Sequence, residues 1–489
     1  MTLLGLFLSL FLLFSPGTSS GEEPLKQLRC VIHLHSDWSY LSQGYSLENL
    51  ATWGEAKGEE ALIFTDHALV RASYGLFPFR RVLHHTEDKT SVFKRGIAEY
   101  FSEIHELQKQ HPPILLIPAV EVSPFYYWTG NFFRGTLTLR DWHRHLLVLG
   151  IDDPKTLKKM PLASNPHHHP IAFLGKRLIF FGPSVACFFL FWYLRRQRVF
   201  GGRGSRWMEG GILLFAVFFF IESIPMGDPF DPYHGDQGAA PYQRVIDYVN
   251  ANGGLIFWAH PEIEAASSVT LKGIRMTTEP YETLVTSTYD YAGFAALGRG
   301  KGLIQRGGLW DQMLKEYCDG VRKSPVWVIS ETDTLGAPEL FRQKETVVLV
   351  KERSKQEVLR SLRQGKMYAV WNTREVNHEL VSLDFFTVKN EEGKEAGMGE
   401  EISSQGKIQI IWRFKVSSPT YIPSVTLIRS GEALKTFAVK DGEEISFEDQ
   451  VETKTARKIY YRLEIEEPPL LTNPIFVLVV PSKEILEDR

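Results

Sequence analysis

A chain of 489 residues, 44% hydrophobic and 23% charged, can bury a substantial core and suggests about three domains. A formal net charge of -3, with no basic stripe interleaved with aromatics, excludes nucleic acid as the expected partner. Cys30, Cys187 and Cys318 are too few and too scattered for a disulfide framework or a thiolate zinc site, so any metal must be held by His and carboxylates.

Residues 1–20 hold an apolar run, Leu3 to Phe14, followed by Ser15-Pro16-Gly17-Thr18-Ser19-Ser20, the pattern of an export signal or of an uncleaved N-terminal anchor. Either would carry the next domain across a membrane. Over 26–160 apolar runs alternate with helical patterns, an α/β signature. The run Cys30-Val31-Ile32-His33-Leu34-His35 reads as a buried strand with two imidazoles on one face. Ser46 caps a helix over Leu47 to Lys57 that Gly58 closes. Ala61 to Phe64 is a strand ending in Thr65-Asp66-His67, and Ile97, Tyr100, Phe101, Ile104 and Leu107 share a helical face. Ile114 to Val120 delivers Glu121, and a further run, Leu146 to Leu149, follows His145.

Within 171–226, Leu178 to Leu194 and Gly211 to Ile221 are the most apolar stretches after the leader, separated by an arginine-rich turn. They predict a transmembrane hairpin with its turn in the cytoplasm, or else a buried or interfacial helical pair. The α/β pattern resumes over 240–372: a helix at Tyr242 to Asn250, a strand Leu255 to Ala259 reaching His260, a helix Leu309 to Tyr317, a strand Val326 to Ile329 reaching Ser330-Glu331-Thr332-Asp333, and a helix-strand unit from Lys355 to Val370. From 378 to 489 short alternating runs predict an antiparallel β-sandwich whose protein partner is open.

Apolar runs thus end in or adjoin His33, His35, His67, Glu121, His145, His260 and Asp333. A barrel or sheet gathers strand ends into one pocket. Nitrogen and oxygen donors without lysine suit two divalent ions sharing a carboxylate, able to activate water and clamp a phosphoester. Arg71, Arg80 and Arg81, in the loop after His67, are candidate substrate contacts, with a solvated loop as the equal alternative. His167-His168-His169 reads as a polar linker, and Gly298-Arg299-Gly300-Lys301-Gly302 as a turn lacking the features of a nucleotide-binding loop.

His33-Leu34-His35-Ser36, Thr65-Asp66-His67, Val120-Glu121-Val122 and Trp258-Ala259-His260-Pro261 together resemble the motifs of the PHP phosphoesterases, the polymerase and histidinol phosphatase family. The resemblance covers about residues 29–150 and 242–336. It implies a distorted (β/α)7 barrel, interrupted here by the transmembrane hairpin and followed by the β-sandwich. It also implies that His33, His35, Glu121 and Asp333 hold one metal, and that Glu121 bridges to a second held by His145 and His260, with His143 the alternative to His145. Ligands for a third ion are replaced by Tyr40 or Leu41 and by Leu335, leaving His67 as a substrate contact or proton carrier. The expected protein is a membrane-anchored hydrolase of phosphoesters with its catalytic domain outside the cytoplasm. It would use two divalent ions (zinc, manganese or iron) on a phosphorylated small molecule or envelope substrate. The alternative is a non-catalytic binding or scaffolding module of the envelope.

Overall fold

β1 (Lys26–Leu34) lies inside a mixed sheet, and Cys30, Val31, Ile32, His33 and Leu34 are all buried, as befits a strand covered on both faces. The computed structural model describes residues 25–40, 44–168, 174–197, 203–224, 229–263, 274–296, 302–333, 341, 343–371, 381–417, 422–467 and 469–481. The leader at 1–20, Leu41, Leu335, His169 and residues 298–301 lie outside them.

To one side of β1 come β2 (Ala61–Phe64), β3 (Leu115–Val122), β4 (Leu146–Leu149), β5 (Leu255–Trp258), β6 (Gly293–Ala295) and β7 (Trp327–Ile329), in that order. On the other side lie β8 (Lys344–Val350) and β9 (Met367–Trp371). β1, β2 and β3 are mutually parallel, as are β5, β6 and β7, but β4 runs antiparallel to both β3 and β5, and β8 to β1.

The expected (β/α)7 barrel is therefore corrected to an open mixed sheet. Between β3 and β4 the chain has no α-helix to carry it back for a parallel strand. It builds instead part of a small three-stranded sheet (Tyr127–Thr129, Thr138–Arg140 and Arg275–Thr277) and returns antiparallel. The large sheet still curls, since the Thr332 N–H donates to the Ile32 carbonyl at 2.9 Å and so brings the end of β7 to β1.

Helices cover this sheet where capping and apolar spacing place them. α1 (Leu47–Lys57) starts in a capping box, the Ser46 hydroxyl accepting from Asn49 N–H and the Asn49 side chain from Ser46 N–H, and ends at Gly58 with φ 74°. α2 (Ile97–Gln110) buries Ile97, Tyr100, Ile104 and Leu107, each large aliphatic worth roughly 1.5–3 kcal/mol.

The expected transmembrane hairpin is also corrected. α3 (Leu174–Gln197) and α4 (Arg203–Ser223) pack on one another, the Ser184 hydroxyl donating to the Ala216 carbonyl at 2.8 Å. Among the described residues, however, no helix is long and apolar enough to cross a membrane. Gly182-Pro183-Ser184 interrupts the first apolar run, and Glu209 and Glu222 confine the second. The membrane-anchored localisation and the membrane partner, so far as they rested on these two spans, are corrected with them; residues 1–20, the other expected anchor, lie outside the described residues. α4 docks instead on the loop after His67: Arg81 N–H donates to Glu222 at 2.7 Å, and its guanidinium to the Ile221 and Ile224 carbonyls. The Phe79 ring sits 5.0–5.5 Å from those of Phe215, Phe218 and Phe219.

The C-terminal strands do not form a sandwich apart. Leu470–Thr472 pairs with β9, so the large sheet runs on through Arg457–Ile465, Ser424–Arg429 and Glu432–Ala438. A separate four-stranded sheet joins Glu395–Gly397, Val381–Asn390, Lys407–Val416 and Glu444–Gln450. Val347, Tyr368 and Val370 of β8 and β9 share its apolar core.

Candidate metal centre

Glu121, next to last in β3, is 1% exposed and has imidazoles on every side. Its Oε1 lies 3.0 Å from His33 Nε2, 2.7 Å from His145 Nδ1 and 3.3 Å from His260 Nε2. Its Oε2 lies 3.4 Å from His35 Nε2 and 3.1 Å from His67 Nε2. Asp333 reaches the same place from the end of β7, its Oδ1 3.7 Å from His33 Nε2 and 3.9 Å from His35 Nε2. Six residues expected as metal ligands, from β1, β3, β4, β5 and β7, are thus brought together. His67 joins them through a parallel bridge to Glu121.

Burial opposes a charge on Glu121, but His145, His33 and His67 overcome it and hold the carboxyl well below the usual carboxylate range. Burial pushes His67 down to about 4, and it also depresses His35, with His67 adding to the effect. These rings are neutral near pH 7, the form in which an imidazole offers a lone pair to a metal.

The outer nitrogens of four of the five rings have a partner. Glu331 Oε2 lies 2.7 Å from His33 Nδ1, and its Oε1 accepts the His260 N–H at 2.6 Å. Tyr281 Oη is 3.2 Å from His260 Nδ1, and the Tyr281 hydroxyl donates to the Ala259 carbonyl. Ser39 Oγ stands 3.2 Å from His35 Nδ1 and 3.3 Å from His67 Nδ1. Four imidazoles therefore turn Nε2 toward Glu121, while His145 turns Nδ1.

His33 Nε2 and both His145 nitrogens are buried without a hydrogen-bond partner. Ring nitrogens left without hydrogen bonds beside a buried carboxylate are the donor arrangement of a cation site. Three groups have donor atoms within 4.8 Å of one another: His33, His35 and Glu121; His67, Glu121 and His145; His33, His260 and Asp333. These buried His and Glu groups could hold a metal ion. His33, His260 and Asp333, one whole group, have φ of 74°, 27° and 44°, in the left-handed region that side chains avoid.

Several expected contacts fall elsewhere. Arg71 donates to Asp88 at 2.9 Å, Arg80 lies over the Tyr233 ring at 3.9 Å, and Arg81 holds the end of α4. Tyr40 is 40% exposed, 5.3 Å under the Lys89 ammonium. His143 is one ring further out, 5.6 Å from His145, its N–H bonded to Thr278, so His145 is the one against Glu121. His260 groups with His33 and Asp333 rather than with His145, and His67 takes the place beside His145. Glu331, Ser39 and Tyr281 were not singled out from sequence, although Glu331 stands directly after the β7 run with Asp333.

No protein family matches the chain, and no curated protein does. Among solved structures, one match is to the neutron crystallographic structure of a Jonesia denitrificans lytic polysaccharide monooxygenase, at 15% identity and a TM-score of 0.12. It covers 16% of this chain and 56% of that one, a likeness too slight to carry an argument.

Proposed function

We propose that the chain is a metal-dependent hydrolase of phosphoesters that works with two divalent cations sharing Glu121. The observation that carries the reading is the convergence of five imidazoles on both oxygens of one buried carboxylate. One cation would be held by His33, His35 and Glu121 with Asp333 and His260 alongside, the other by Glu121, His67 and His145. His33 presents a single inward nitrogen and can ligate one ion only, so the two groups that contain it describe one site rather than two. His67 is thereby a ligand in this reading rather than a proton carrier. The motif residues that resemble the PHP phosphoesterases support the same chemistry on a differently connected sheet.

Bound divalent cations supply Lewis acidity, which activates water and neutralises charge developing on phosphoryl oxygens. The chain's own part is to keep His35 and His67 neutral by burial and to hold the outer nitrogens of His33, His260, His35 and His67 with Glu331, Tyr281 and Ser39, so that these donors are in place before anything binds. Asp333, with 43% of its side chain exposed, faces the open side from which a substrate would come. Imidazole and carboxylate donors suit zinc, manganese or iron.

The test is elemental analysis of the purified chain together with a panel of aryl phosphate mono- and diesters. About two divalent ions per chain, as two ligand sets imply, with metal-dependent hydrolysis of a panel member, would support the reading. Full metal loading with no hydrolysis anywhere would favour instead a non-catalytic binding module, to which the engagement of Arg71 and Arg81 away from the cluster gives some weight.

A further inference from the structure

We propose that the Ser39 hydroxyl is a positioning group that sets the tautomers of both His35 and His67, and so ties together the two ligand groups that meet at Glu121. The inference rests on the metal-binding reading and not on hydrolysis.

Ser39 Oγ, in a residue 3% exposed, has four polar neighbours among the described residues: Asp66 Oδ1 at 2.8 Å, His67 N at 2.9 Å, His35 Nδ1 at 3.2 Å and His67 Nδ1 at 3.3 Å. A hydroxyl has one proton to give and two lone pairs to offer. Asp66 already accepts from the Ser36 N–H at 2.7 Å and the Ser36 hydroxyl at 2.8 Å, so it is the acceptor of this corner and takes the Ser39 proton as well. One Ser39 lone pair receives the His67 backbone N–H. The other is shared between the two Nδ1 atoms, at the longer separations of 3.2 and 3.3 Å that a divided acceptor gives, and Ser39 has no proton left to offer them. Each ring can therefore bond to it only by carrying its own proton on Nδ1.

A ring protonated on Nδ1 has its lone pair on Nε2, and in both rings Nε2 is the atom facing Glu121 Oε2, at 3.4 and 3.1 Å. The two rings lie stacked, centroids 4.7 Å apart and 23° from parallel, one above the other on the same oxygen. His35 belongs to the group with His33, and His67 to the group with His145. A single hydroxyl thus directs one donor into each group.

The test uses the full chain labelled with nitrogen in histidine, read by NMR without metal, and cobalt(II) titration followed by its absorption. Native protein should carry the His35 and His67 ring protons on Nδ1. Ser39→Ala should move at least one of these rings toward the Nε2-protonated form and weaken cobalt(II) binding by about 10–100-fold, the usual effect of losing a group that orients a ligand. Ser39→Thr, which keeps the hydroxyl, should restore both readouts, a rescue that a purely structural role does not predict. Nε2-protonated rings in the native protein, or unchanged tautomers and cobalt(II) affinity in Ser39→Ala, would overturn the proposal. Should Ser39→Ala not fold, the native tautomers and Ser39→Thr decide it. A native chain that bound no cobalt(II) would bring down the metal reading, and the tautomers alone would then decide the role of Ser39.

Discussion

Two of the buried charged assemblies among the described residues, one around Glu121 and one around Arg462, differ in what is left unpaired. Arg462 is fully buried on the strand Arg457–Ile465 and reaches Asp311 of the helix Leu309–Cys318, Nε to Oδ1 at 3.0 Å and Nη2 to Oδ2 at 2.8 Å. Its Nη1 donates to Glu464 at 3.0 Å, and Asp311 also accepts from the Tyr460 hydroxyl at 2.7 Å and the Gly307 N–H at 2.8 Å. Charge and hydrogen bonds close within that set. Around Glu121 they do not close: His33 Nε2 and His145 Nδ1 lie 3.0 and 2.7 Å from its Oε1 without hydrogen-bond geometry, and the other nitrogen of His145 is buried with no hydrogen-bond partner. A buried ionic group that satisfies itself holds a fold together, whereas one that leaves convergent donors unsatisfied has room for a ligand.

The comparison breaks first at Glu121. Glu121→Gln should remove bound metal from both sites and abolish hydrolysis, since Glu121 is the carboxylate that both sites share. Elemental analysis with normal metal content in this variant would mean that the groups bind without a bridge. The opposite pattern is expected at Asp311: Asp311→Asn leaves the Arg462 charge buried and half paired, which should lower unfolding stability by about 3–5 kcal/mol without altering metal per folded chain. Denaturant unfolding with metal analysis on the same samples separates the two effects, and metal loss at Asp311→Asn would erase the distinction.

A smaller effect sharpens it. Glu331→Gln keeps the shape of the group that holds His33 Nδ1 and the His260 N–H but weakens its pull, so cation affinity should fall by about 10–100-fold with stability little changed. Isothermal titration measures this directly, and unchanged affinity would make Glu331 merely structural. Smallest is a pH effect at Asp311. Burial opposes ionisation there, but Arg462 wins and depresses the carboxyl below 3.8. A folded-state pKa below the unfolded one means the stabilisation is whole above pH 3.8 and is lost as pH falls through the lower value. The unfolding free energies of native protein and Asp311→Asn should therefore converge in acid, by about 1.4 kcal/mol per pH unit at most for one proton; parallel curves would refute the pairing.

Much of the centre was legible because every ligand lies in, beside or a few residues after a strand whose apolar run is unmistakable, such as Leu115–Val122 before and around Glu121. The spacing of His33 and His35 likewise survives in the fold, though β1 shifts register between Ile32 and Leu34 where His33 turns to φ 74°. The barrel was not legible, since an apolar run of four residues such as Leu146–Leu149 carries no sign of strand direction, which the connection decides. Nor was the fate of α3 and α4: apolarity suggested spans, whereas Phe79 and Arg81, far away in sequence, are what α4 rests on. Ser39 and Glu331 escaped notice because an outer hydrogen bond to a ligand has no spacing of its own.

The left-handed backbone at His33, His260 and Asp333 has one more consequence. Each such residue costs on the order of 1–3 kcal/mol that glycine would largely avoid, so this corner is a spring kept wound by the packing around it. A polypeptide selected for stability alone would relax these three positions. Here the tension is concentrated in the one group of donors where the end of β7 curls back to β1. This corner should be the first part of the core to loosen on warming, and whatever binds there acts as its clasp.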